Sequence, residues 1–215
     1  LDWCQKHRAA DTYLWYQSRL QLFVTTYPDL TVSALRPFHV QQWIDSYEHL
    51  STGSKRNYCR AIQRALRWAE AQGLIERSPI AHLQKPRGGR RELVIGPEDY
   101  RRILMYVPNE EFRDLLTFAW ETGARTQECL IVERNHVDLN QARIVIPRNQ
   151  EKMERAPRVI YLSEAATQLV QQRMRRPPNH LFVNTNGHPW TTEALNCAFN
   201  SIRHRMGKAV MKDKN

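Results

Sequence analysis

The seven residues Lys85-Pro86-Arg87-Gly88-Gly89-Arg90-Arg91 divide this 215-residue chain in two. A proline and two glycines exclude a helix there, and four cations in seven residues exclude burial. The segment is therefore expected to be a basic linker, spanning 85–92, between a domain at 1–84 and a second at 93–215. Its charges suit a solvated tether and a path close to phosphates equally well.

Upstream of the linker the chain reads as helices alone. Tyr13, Leu14, Tyr16, Leu20, Leu22 and Phe23 recur at helical spacing between His7 and Thr26, ahead of Pro28. A second helix is expected from Pro37 to Leu50, with Val40, Trp43, Ile44 and Tyr47 on one face. A third is expected from the Ser51-Thr52-Gly53-Ser54 cap signals to Gly73, and a short fourth after Pro79. Downstream the pattern is mixed. Helices are expected over about 97–107, 109–122 and 125–132, strands at Val137–Leu139, Arg143–Pro147 and Arg158–Leu162, then helices from Ser163 to about Arg175 and from Thr191 to about Lys208. The fold class is thus a four-helix α domain followed by an α+β domain with a small antiparallel sheet.

Charge narrows the function. Lys and Arg number 32 against 22 Asp and Glu, a net charge of +10, and residues 1–91 hold 14 cations against 7 acids. An uneven excess of this kind calls for a polyanionic partner. No run approaches the roughly 18 apolar residues of a membrane span. The Leu1 start shows no leader and suggests an excised piece of something longer, and the scattered cysteines lead to an expected reducing, cytoplasmic location. Cys4, Cys59, Cys129 and Cys197 lie far apart with no C-x-x-C, so neither a disulfide framework nor a metal site is expected. Cys59 and Cys129 read as small buried hydrophobes, Trp68 and Trp120 as core aromatics, and His136 and His188 as loop or turn residues.

The third helix shows where the charge goes. At about 100° per residue, Arg56, Arg60, Arg64 and Arg67 fall within about 80° of one another, with Lys55 beside them. Tyr58, Ala61, Ile62, Ala65 and Ala69 cluster roughly 150° away. No acid lies between Ser51 and Ala69, so helical ion pairs do not account for the row. An external phosphate backbone does, because a guanidinium binds phosphate through a planar fork and displaces condensed counterions.

The chemistry-bearing stretch is Thr122-Gly123-Ala124-Arg125-Thr126-Gln127-Glu128. Gly123 ends one helix and Thr126 opens the next, leaving Arg125 at a helix N-terminus, where unpaired N–H groups favour an anion. Glu128, three residues on, lies on the same face to steady the guanidinium. Locked inward in an internal ion pair, Arg125 would have no role toward an external anion.

The run from Trp120 to Leu130 resembles the first box, T-G-x-R-x-x-E, of the tyrosine recombinase (phage integrase) family. The resemblance continues through His136–Leu139 and Arg143–Ile146, the Gln150–Leu162 hairpin, and Leu181–Val183 with Asn186-Gly187-His188-Pro189. Upstream, Ser51–Arg67, Gly73-Leu74-Ile75 and Ser78-Pro79 resemble the family's helical, SAM-like core-binding domain. It implies an integrase catalytic fold that cleaves duplex DNA through a 3′-phosphotyrosine, with no metal and no small-molecule cofactor. By the same resemblance Arg125 corresponds to the first catalytic arginine and Lys152 to the hairpin lysine, with Arg155 and Arg158 as rivals for the lysine's place. The implied partners are double-stranded DNA and further recombinase protomers, four on DNA.

One departure is large. The family's second box, H-x-x-R followed by His or Trp and then the nucleophilic Tyr, is not among these residues, and the last tyrosine is Tyr161. Ser201-Ile202-Arg203-His204-Arg205 has suitable residue types in the wrong order. The chain is therefore expected to be a truncated recombinase or a degenerate one, inactive by itself and monomeric in solution.

Overall fold

The computed structural model describes residues 1–89, 94–147, 157–176 and 179–212, the last five as backbone alone. It divides into two compact units, Leu1–Leu93 and Val94–Asn215.

The first unit is helical among its described residues: α1 (Asp2–His7), α2 (Ala10–Thr26), α3 (Pro37–Asp45) and α4 (Thr52–Ala71). Proline at the first turn presets α3, which buries Val40, Trp43 and Ile44. Ser51 caps α4, its hydroxyl accepting from the Ser54 amide at 3.2 Å. The core gathers on Trp43, met edge-on by Phe23 at 5.1 Å between ring centroids and at a tilt by Tyr58 at 5.2 Å.

Three helix expectations are corrected here, the first being the helix expected from Pro37 to Leu50, which ends at Asp45. The predicted His7–Thr26 helix is interrupted by an extended Arg8, which separates α1 from α2. The short helix expected after Pro79 is replaced by turns, with Ala81 N–H to Ser78 carbonyl at 3.2 Å and Leu83 N–H to Ile80 carbonyl at 3.1 Å. Between Pro79 and Pro86 there is too little chain to repay helix nucleation. Burial of Ile80 and Leu83 fixes the segment, as does Gln63, whose amide Nε2 donates to the Leu83 carbonyl at 3.1 Å. The domain still has four helices among the described residues, with α1 in place of the expected last one.

The second unit contains α5 (Pro97–Met105), α6 (Glu110–Thr122), α7 (Thr126–Ile131), a 3-10 turn (Arg134–His136), β1 (Val137–Asp138), β2 (Arg143–Ile146), β3 (Arg158–Tyr161), α8 (Glu164–Met174) and α9 (Thr192–Lys212). This is the predicted α+β order, and α9 runs four residues further than predicted. The described strands form an antiparallel sheet in the order β1-β2-β3, with Ile144 opposite Ile160 and Ile146 opposite Arg158. Alternation sends Ile144, Ile146 and Ile160 into a core shared with Phe112, Phe118, Val170 and Phe182. Arg173 of α8 pairs with Asp114 of α6 inside this layer, both side chains largely buried. Among the described residues no helix is long and apolar enough to cross a membrane.

Candidate nucleic-acid interface and phosphate site

Gly123 ends α6 in the left-handed conformation (φ 64°), as its lack of a Cβ permits, and its N–H donates to the Ala119 carbonyl at 3.0 Å. Thr122 ties the turn on both sides, donating to the Phe118 carbonyl and accepting from the Ala124 amide. Two residues later Arg125 occupies the N-cap of α7 with an extended backbone, so its side chain leaves the helix axis.

Glu128 holds the cations of the site together. Its Oε2 accepts the Arg125 backbone N–H at 2.8 Å, and its Oε1 accepts the Arg125 guanidinium at 2.8 Å and Arg158 Nε of β3 at 3.1 Å. The carboxylate side chain is 5% exposed, whereas Arg125 is 75% exposed and Arg158 37%. Burial pushes the Glu128 pKa up, but the Arg125 amide, the Arg125 guanidinium and Arg158 outweigh it and hold the group below its ordinary value. Glu128 is therefore a fixed anion at neutral pH. Two cations on one carboxylate leave a net positive charge at the surface, which suits an oxyanion.

Two expectations are refined by this geometry. The helix-terminal N–H expected to be open to an anion is already taken by Glu128, so the site's attraction rests on guanidinium charge. The ion pair does form, yet Arg125 is braced at one edge and remains largely open to solvent. Lys152 and Arg155 lie outside the described residues. Arg158, a rival for the lysine's position, is paired with Glu128 and so adjoins Arg125. Arg203 and His204 of the tail motif are exposed on α9, and Arg205 donates to the Tyr106 carbonyl at 3.3 Å.

On α4 the arginines at 56, 60, 64 and 67 are exposed and Lys55 is half-buried. The buried face is Cys59, Ala61, Ile62, Gln63 and Leu66, while Tyr58, Ala65 and Ala69 are only partly covered. Its centre thus lies about 100° from the arginine row rather than the expected 150°. The row consequently borders the packed face, where Arg60, Arg64 and Arg67 join Lys85 around a cleft of about 440 Å³. A Cβ at Gly88 would lie 3.5 Å from the Cδ and Nη1 of Arg56. Residues 85 and 88 therefore lie beside the arginines of α4. Lys55 and Arg56 stand outside the cleft.

Sequence reasoning misassigned two tryptophans. Trp68 and Trp120 are 36% and 39% exposed. Each stands two residues, about 200° of helix, beyond a buried one, Leu66 and Phe118. Trp120 stacks flat on Tyr100 at 4.3 Å, and Trp68 meets Trp3 at 5.9 Å. Their phase on the helix was the signal available in the sequence. His188 lies in a turn as expected. His136 is buried in the 3-10 turn, where its Nδ1 accepts the Glu133 N–H at 3.1 Å and burial lowers its pKa. Burial pushes the Cys59 and Cys129 thiols up to about 11 and about 12, which makes them inert at neutral pH.

A family model described as the phage integrase family matches residues 94–213. The Tn1549 transposon integrase, solved with transposon right end DNA, superposes with a TM-score of 0.75 at 15% identity, covering 94% of this chain and 75% of that one. A lambda integrase dimer bound to a COC′ core site gives 0.76 at 13% identity, covering 92% of this chain and 59% of that one. A lambda integrase tetramer on a Holliday junction gives 0.76 at 12% identity, with 93% and 62% covered. At these identities the likeness establishes the fold. No curated protein sequence matches the chain.

Proposed function

The chain belongs to the phage integrase family, and from that premise we propose that it is part of a site-specific DNA recombinase. In this reading residues 1–84 bind duplex DNA through Lys55, Arg56, Arg60, Arg64 and Arg67, and residues 93–215 are a partial catalytic domain joined to them by the basic linker. Arg125 receives the non-bridging oxygens of the scissile phosphate, where negative charge grows as a tyrosine oxygen attacks phosphorus. Lys152 gives a proton to the departing 5′-oxygen, so that cleavage leaves a 3′-phosphotyrosine and a free 5′-hydroxyl. Glu128 and Arg158 position Arg125 and take no part in bond making. The observation that carries this reading is the Arg125 guanidinium, braced on a buried carboxylate and three-quarters open.

The deciding experiment uses a suicide DNA substrate and the product of the whole coding region, extending beyond Asn215 if it does. A covalent protein–DNA adduct is expected, and Arg125→Ala should abolish it while leaving binding nearly intact. An adduct that survives Arg125→Ala would overturn the assignment. One observation favours a second reading, a DNA-binding module without chemistry: no tyrosine comes after Tyr161 in these 215 residues. A coding region lacking H-x-x-R and a later Tyr would decide for it. Assembly with further protomers, four on DNA, belongs to the first reading.

A further inference from the structure

The basic row of α4 borders a cleft that also carries aromatic side chains, Trp15 and Tyr16 of α2 and Trp68 of α4 itself. We propose that this cleft takes a single unpaired nucleotide of DNA, with its base against an indole and its phosphate on the guanidiniums. The inference rests on the DNA-binding reading above and adds a preference for distorted over perfect duplex.

A regular duplex presents phosphates and sugars along its backbone and keeps base faces stacked inside. Guanidiniums alone would serve it. Indoles among the guanidiniums find a matching partner only in a base that has left the stack, because every base offers a π-face. The aromatic side chains are preorganised for this. The Arg19 guanidinium carbon lies 4.2 Å from the Trp15 ring centroid, and its Nη1 donates to the Trp15 carbonyl at 2.8 Å. Tyr16 meets Trp15 edge-on at 4.8 Å. Trp68 keeps more than a third of its surface open.

The cleft of about 440 Å³ falls within the size range of small-ligand sites. Its lining includes Gln63, 4% exposed and held by donation from Nε2 to the Leu83 carbonyl, two residues before Lys85. The Oε1 of Gln63 has no hydrogen-bond partner among the described residues. A buried acceptor of this kind calls for a donor.

The test compares a labelled perfect duplex with the same duplex carrying one unpaired nucleotide, bound by the full chain at one salt concentration. The bulged duplex should bind roughly tenfold more tightly, the size of one base–aromatic stack, and should quench tryptophan fluorescence. Trp68→Leu or Trp15→Leu should bring the affinity ratio toward one, and Trp68→Phe should restore part of it. Equal affinity of the wild-type chain for both duplexes overturns the inference and leaves the DNA-binding reading standing. A ratio that persists in both leucine variants also overturns it, since the preference would arise elsewhere. Failure to bind either duplex overturns the DNA-binding reading beneath it.

Discussion

Glu128 fixes two side chains that lie 33 residues apart in the sequence, Arg125 and Arg158. An exposed ion pair three residues apart on a helix contributes little to stability. Here the carboxylate is buried, so its main effect is to direct the guanidiniums. Glu128→Gln keeps the size and removes the charge, and it should destabilise the chain at pH 7 by about 1.5–3 kcal/mol, the range for hydrogen bonds to charged groups. The pH dependence comes from the lowered pKa. The unfolded state binds the proton first as pH falls through the ordinary value of 4.5, so the stabilisation is present above that value and is lost as pH falls through the lower folded one. Urea unfolding from pH 7 to pH 3 should therefore show the gap between wild type and Glu128→Gln closing toward acid. A constant gap would show that the charge is not what Arg125 and Arg158 depend on. His136 acts in the same direction at higher pH, since burial holds its pKa below 6.5.

At the scale of elements, α4 does two jobs with one period. Cys59, Ile62, Gln63 and Leu66 build the core, and the arginines at 56, 60, 64 and 67 take the same turns further round. Each B-DNA phosphate neutralised contributes about 0.9 to the slope of log K against log salt. Arg56→Ala with Arg60→Ala should reduce that slope by about one unit or slightly more, at every DNA sequence, as read by titration at several salt concentrations. An unchanged slope would mean that the row does not meet phosphate. Most of the described elements could be read from sequence because their signals are local: Ser51 and Ser163 as N-caps, Asn109 before α6, Gly123 after it, Ile144 and Ile146 alternating in β2. Residues 78–83 and the two tryptophans were not legible in this way. Proline spacing, tertiary burial of Ile80 and Leu83, and helix phase overrode residue type at those places.

At the scale of the molecule, each unit has its own buried core, one around Trp43 and one around Phe112 and Phe118. Each is therefore expected to unfold cooperatively without the other. The residues at 87–89 are exposed. Brief trypsin treatment should first cut beside Arg87, within the linker, and yield two fragments that each retain a sharp thermal transition. Loss of either transition after that cut would show that its unit depends on the other for folding.

The amino-acid sequence by itself determined the two-part organisation, the order of most helices and strands, the one-signed row on α4, and the placing of Arg125 beside Glu128. Each of these is set by residues within a few positions of one another, through periodicity, capping and backbone preference. Only the tertiary structure decided that Arg158 shares the Glu128 carboxylate and that Trp15 and Lys85 meet the arginines of α4 at one cleft. Those pairings join residues from 18 to 70 positions apart, and they depend on how α2, α4 and the sheet pack, which no local pattern records.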